Sequence, residues 1–172
     1  VAKNNHLAIE NISVLKKISG ALLNGKSIWL QSDFPVTGTE QYSQISFSEQ
    51  ANSAGKVVIS DRTQTRLETM PTLYLRPKDL VIGVGCKKSI PFVHLETCFL
   101  SFLETYQYAC DSIKAMATIS RKQAEPAILQ LCETYHIPLQ IVPDADIRAC
   151  GNSFEASAFV QQVTGLPSVS EA

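Results

Sequence analysis

With 172 residues the chain has room for one ordinary domain or two small ones, and a large multidomain machine is excluded. Hydrophobic residues make up 45% and charged residues 18%, with 8 Gly and 8 Pro, a composition that supports a packed core and lies away from disordered, collagenous and coiled-coil chains. Lys and Arg total 15 against 16 Asp and Glu, a formal net charge of −1, so bulk attraction to nucleic acid or to an anionic membrane is not the working principle.

Ile12, Leu15, Ile18 and Leu22 recur at helical spacing and Asn24-Gly25 stops the run, which predicts an amphipathic helix over residues 7–23. Strand-like segments follow at 27–31, 42–47, 56–60 and 72–75, each bounded by Gly, Pro, Ser or Asp. Residues 1–77 thus read as a small α/β domain, closed by Met70-Pro71 and Arg76-Pro77-Lys78.

Residues 78–172 alternate more regularly. Leu80-Val81-Ile82-Gly83-Val84-Gly85 is a continuous apolar run, as expected for a central strand buried on both faces. After Pro91, the spacing of Phe92, Leu95, Phe99, Phe102, Leu103 and Tyr106 predicts a helix of about four turns. Residues 113–119 form the next strand, and Glu125-Pro126 opens a helix carrying Ile128, Leu131, Cys132 and Tyr135 on one face. His136-Ile137-Pro138 ends it, residues 139–142 make a third strand, and a last helix starts near Ser153 and is capped at Thr164-Gly165. Strand, helix, strand, helix, strand predicts a three-layer α/β/α domain with a mainly parallel sheet and right-handed crossovers.

Open parallel sheets bind ligands beyond the carboxyl ends of their strands, where loops are free and helix N-termini point N–H groups outward. Two loops fall there: Gly85-Cys86-Lys87-Lys88-Ser89, and Thr118-Ile119-Ser120-Arg121-Lys122-Gln123-Ala124-Glu125. Lys87, Lys88, Arg121 and Lys122 are four of the seven basic residues of this half, a concentration suited to a ligand with several carboxylates or phosphates. The plainer alternative is that surface loops carry Lys and Arg for solvation alone.

Gly83-Val84-Gly85 is not a dinucleotide fingerprint, because the third glycine of GxGxxG would fall on Lys88. The glycines either let the chain pass close to a ligand or serve packing. Cys86 is a candidate nucleophile beside two lysines, or a thiol packed at a strand end. His94, in the first turn of the following helix, is a candidate acid or base, or a surface residue. Lys122 and Glu125 stand three apart, either as a local ion pair at a helix start or as a substrate-binding lysine and a proton relay. Asp144 and Asp146 lack a third ligand, and no metal site is predicted.

Cys86, Cys98, Cys110, Cys132 and Cys150 include no CxxC pair, so neither a zinc knuckle nor a disulfide framework is predicted. Their odd number, with no secretory signal, fits free thiols in a reducing cytoplasm. No apolar run approaches the ~20 residues needed to cross a bilayer. A cytoplasmic protein is expected, and the opening Val1 in place of methionine suggests a piece of a longer polypeptide.

Three ordered stretches carry a family resemblance. They are Leu80-Val81-Ile82-Gly83-Val84-Gly85-Cys86-Lys87-Lys88, Ala117-Thr118-Ile119-Ser120-Arg121-Lys122-Gln123-Ala124-Glu125-Pro126, and Thr164-Gly165-Leu166-Pro167-Ser168-Val169-Ser170-Glu171-Ala172. Together they resemble the C-terminal domain of the CbiG family of cobalamin biosynthesis, the cobalt-precorrin-5A hydrolases. Residues 1–77, with Ile28-Trp29-Leu30-Gln31-Ser32-Asp33 and Leu73-Tyr74-Leu75-Arg76-Pro77, resemble the family's central region. The family's usual N-terminal domain is not found before Val1, and similar proteins continue past the position of Ala172, so residues 78–172 are expected to be a truncated domain.

The resemblance implies hydrolysis of the ring-A δ-lactone of cobalt-precorrin-5A in the anaerobic pathway, giving cobalt-precorrin-5B and acetaldehyde. The C-terminal domain also resembles the stand-alone CobE proteins, which makes a non-catalytic corrinoid-binding module, or part of a fusion with a corrin-ring methyltransferase, the alternative. On this reading the partner is a tetrapyrrole substrate that carries its own cobalt. No resident cofactor, nucleic acid or membrane is expected, and a homodimer or contact with neighbouring pathway enzymes is compatible. Catalytic candidates are Lys122, Glu125 and His94. Substrate-binding candidates are Gly83, Gly85, Cys86, Lys87, Lys88, Thr118, Ser120, Arg121 and Glu171.

Overall fold

The computed structural model describes residues 5–39, 41–49, 52–63 and 69–149. The chain divides into two compact units, one of Val1–Asp79 with Gln107–Ser112 and the other of Leu80–Tyr106 with Ile113–Ala172. Residues 107–112 therefore group with the first unit although the chain on both sides of them belongs to the second.

In the first unit, strands β1 (Leu7–Ile9), β2 (Ile28–Ser32), β3 (Ile45–Ser46), β4 (Lys56–Ile59) and β5 (Thr72–Pro77) form a sheet of order β1-β5-β4-β2-β3. Pairing is parallel throughout except for β1, which runs antiparallel to β5 with Leu7 opposite Pro77 and Ile9 opposite Leu75. Helix α1 (Ile12–Leu23) covers the sheet with Ile18, which packs with Ile28 and Leu73. The expected helix over residues 7–23 is thus corrected at its start, where three residues are strand. Leu7 and Ile9 fit either period over so short a run, and pairing with β5 decides it. Asn11 makes the change of direction: its side-chain amide donates to Thr72 O at 2.7 Å and accepts from Tyr74 N at 3.0 Å, satisfying backbone groups of β5 where β1 leaves. Ile12, counted in the apolar stripe, is 70% exposed. The end at Asn24-Gly25 is as expected, with Asn24 N bonded to Gly20 O and Gly25 at φ +69°.

Arg76, near the end of β5, is fully buried. Its Nε donates to Glu10 Oε2 at 2.6 Å, and its Nη1 donates to the carbonyls of Ser60 and Arg62 at 2.9 and 2.7 Å. This one side chain holds the segment leaving β4, which in turn docks on residues 107–109. Thr63 N donates to Gln107 O at 2.7 Å, Ala109 N donates to Asp61 O at 2.7 Å, and the Arg62 guanidinium lies 3.9 Å from the centre of the Tyr108 ring.

In the second unit, β6 (Leu80–Gly83), β7 (Ile113–Ile119) and β8 (Leu139–Val142) form a parallel sheet in that order. Helices α2 (Phe92–Tyr106) and α3 (Pro126–Thr134) make the crossovers, and α4 (Asp144–Ala149) follows β8. The chain is an α/β protein with mainly parallel sheets. Right-handed crossovers in a sheet that grows in one direction place both helices on one face. They do pack together: the Phe99 and Tyr135 rings meet edge-on at 5.0 Å and Tyr135 OH donates to Glu96 at 3.1 Å. The opposite layer of the expected three-layer arrangement rested on the helix near Ser153, which lies outside the described residues.

The strand buried on both faces is β7, where every residue but Lys114 is buried. Leu80–Gly83, expected in that central place, is corrected to an edge among the described residues, with Val81 53% exposed. Met116 on β7 and Ile128 on α3 are fully buried, joined by Leu95, Phe99 and Leu103 of α2. Phe102 and Tyr106, also expected in the core stripe, are instead exposed, with their rings tilted against each other at 5.0 Å. Helix α4, absent from the sequence reading, is anchored by Ile147 against Ile119 and Val142. No helix among the described residues is long and apolar enough to cross a membrane.

Candidate functional site

Strands β6 and β7 end side by side, with Gly83 opposite Ala117. One residue further, Val84 N donates to Ala117 O and the Thr118 hydroxyl donates to Val84 O, both at 2.8 Å. Thr118 is 2% exposed, so its hydroxyl ties the two strand ends together. Beyond β7, a 3-10 turn at Ser120–Lys122 leads to Glu125, which flanks α3 ahead of Pro126.

A carboxylate at this position commonly bonds N–H groups of its own helix, but Glu125 makes no such bond. Its backbone closes the turn, with Glu125 N donating to Lys122 O at 3.0 Å. The side chain, in a residue 8% exposed, crosses to the other loop, where Oε1 accepts the Ser89 N–H at 2.7 Å. Oε2 pairs with Lys122 Nζ at 3.3 Å. The two loops singled out by the strand-end rule are therefore joined through one carboxylate.

Ser89 itself adopts φ +57°, a left-handed conformation that L residues other than Asn and Asp avoid, so tertiary contact holds the loop's shape. Its role escaped the sequence reading because a backbone N–H carries it, and no side-chain type announces that. Cys86 is partly buried in the same loop. Burial raises its thiol pKa above the ordinary value, Lys122 lowers it and Glu125 raises it. The sign favours the neutral thiol at pH 7, against thiolate nucleophilic catalysis. Alkylation of Cys86 by iodoacetamide should accordingly be slow at pH 7 and accelerate as the pH rises past the usual thiol range; rapid labelling at pH 7 would contradict this.

Gly83, Gly85, Lys87, Lys88 and Arg121 are exposed, and Ser120 is partly exposed. The Lys122 side chain is 21% exposed while paired with Glu125. His94 is exposed in the first turn of α2, and among the described residues no hydrogen bond or ion pair joins it to Lys122 or Glu125. The structure thus brings together Cys86, Ser89, Lys122 and Glu125, while Thr118 ties the ends of the two strands that carry these loops. Glu171 lies outside the described residues. Among those residues no group of three or more His, Cys, Asp or Glu could hold a metal ion.

A parallel α/β unit whose two strand-end loops carry lysines and are joined by one buried carboxylate is a fold class with many members. The particular family is set by the sequence comparisons. The chain belongs to the CbiG family: residues 1–77 match the cobalamin biosynthesis central region and residues 80–172 match the cobalamin synthesis G C-terminus. Its process is cobalamin biosynthesis.

Two curated relatives are named cobalt-precorrin-5A hydrolase. The one from Salmonella typhimurium (strain LT2) is 30% identical over 101 residues, covering 59% of this chain and 29% of the relative. The one from Priestia megaterium is 29% identical over 117 residues, covering 65% of this chain and 31% of the relative. The matched stretch therefore spans about a third of the length of these relatives. Among solved structures, CobE, described as a protein from the cobalamin (vitamin B12) biosynthetic pathway, is similar over 53% of this chain and 65% of its own, with 25% identity and a TM-score of 0.49.

Proposed function

We propose that this chain binds cobalt-precorrin-5A and takes part in opening its ring-A δ-lactone, with net uptake of one water and release of acetaldehyde. The joining of the two cationic loops through Glu125 is the observation that carries this reading. The substrate bears several acetate and propionate arms, and Lys87, Lys88 and Arg121 offer exposed cationic partners for them. Cobalt arrives with the substrate. Lactone opening needs a donor for the oxyanion that develops at the carbonyl and a base for the attacking water. Lys122 has N–H donors beyond the one facing Glu125 and takes the first role. With both Glu125 oxygens engaged, His94 is the remaining candidate for the second.

One observation favours a second reading. Since the curated hydrolases extend far beyond the matched stretch, their reacting groups have room to lie elsewhere. On that reading this chain is a corrinoid-binding module without turnover. Incubation with cobalt-precorrin-5A and enzymatic assay of acetaldehyde separates the two. The hydrolase reading expects acetaldehyde in proportion to substrate consumed, and a rate about 100-fold lower in Lys122→Ala, as for loss of an oxyanion donor. Tetrapyrrole binding without acetaldehyde selects the module, and absence of both refutes the two together.

A further inference from the structure

We propose that Glu125 is a positioning residue, whose carboxylate clamps the loop of Lys87 and Lys88 through the Ser89 N–H and orients Lys122 with its other oxygen. The proposal rests on the tetrapyrrole-binding reading only for what the loop receives; the clamp itself is a property of the chain.

Four features lead to it. Glu125 is 8% exposed, whereas the loop residues Lys87, Lys88 and Ser89 are exposed, so the bond is anchored from the inside. The Oε1 to Ser89 N distance of 2.7 Å is short for an N–H donor, as charge-assisted bonds are. Ser89 holds φ +57°, an unfavourable conformation that a bond at its own N–H helps to fix. Among the described residues, no hydrogen bond from the backbone N–H of Gly85, Cys86, Lys87 or Lys88 is found, so there the Glu125–Ser89 bond is the loop's N–H tether beyond Val84. A general base would need a lone pair directed at water. Both Glu125 oxygens instead face the chain's own donors, Ser89 N and Lys122 Nζ.

Residue-resolved amide hydrogen exchange on the whole chain tests the clamp. After correction for intrinsic rates, Ser89 N–H should exchange at least ~10-fold more slowly than the N–H groups of Lys87 and Lys88. This comparison needs no variant. Glu125→Ala should abolish the difference, while Glu125→Gln, which keeps an acceptor oxygen, should stay within ~3-fold of the parent chain. The dissociation constant for the polycarboxylate corrinoid cobyrinic acid, followed by visible absorbance, should rise ~10-fold in Glu125→Ala and less than ~3-fold in Glu125→Gln. Equal exchange of Ser89 and Lys87 in the parent chain, or a Gln variant as loose as the Ala variant, overturns the proposal. A protected Ser89 in a chain that does not bind cobyrinic acid upholds the clamp and refutes the tetrapyrrole reading instead.

Discussion

Arg76→Ala should destabilise the first unit by about 3–5 kcal/mol, the range for removing one member of a buried charged pair. The arginine has no exposed surface, yet its guanidinium binds Glu10 and the carbonyls of Ser60 and Arg62. Truncation removes the guanidinium's bonds to that carboxylate and the two carbonyls together, and leaves a cavity. Glu10→Gln keeps an acceptor oxygen beside the guanidinium and removes only the charge, so its cost should be smaller, about 1–3 kcal/mol. Urea unfolding followed by hydrogen exchange in β4 and β5 measures both. A loss below about 1 kcal/mol for Arg76→Ala would show that the segment 60–63 is held by its bonds to residues 107–109 rather than by the arginine.

Charge reversal at the exposed loop has the opposite profile, a large effect on binding and little on folding. Lys87→Glu with Lys88→Glu should weaken cobyrinic acid binding by ~10- to 100-fold at low salt, and the difference should shrink as salt screens it. Because both lysines are exposed, the stability of the doubly substituted chain should stay within ~0.5 kcal/mol of the parent. Isothermal titration at two ionic strengths reads the first quantity and thermal unfolding the second. Unchanged affinity would remove these lysines from the ligand's surroundings.

Much of the second unit was legible because its periods are long. The four-residue spacing of Leu95, Phe99 and Leu103, and the run through β7, survive any shift of a residue or two at the ends. Short elements were not legible. Leu7–Ile9 is too brief for its period to be read, and its strand state comes from pairing with Leu75–Pro77, far along the chain. The swap of edge and centre between β6 and β7 has a similar cause: an apolar run reports burial only as an average, while rank in the sheet is set by which neighbours dock. At the site, the strand-end rule located both loops and the Lys122–Glu125 pair. It did not reveal that Glu125 reaches across to a backbone N–H, since a backbone partner leaves no mark in the side-chain sequence.

The most direct test is to crystallise the chain with cobyrinic acid and locate the cobalt by its anomalous scattering. A cobalt site is expected beyond the carboxyl ends of β6 and β7, with the macrocycle's carboxylates contacting Lys87, Lys88 or Arg121. A well-occupied cobalt on any other surface of either unit, with these loops bare, would contradict it.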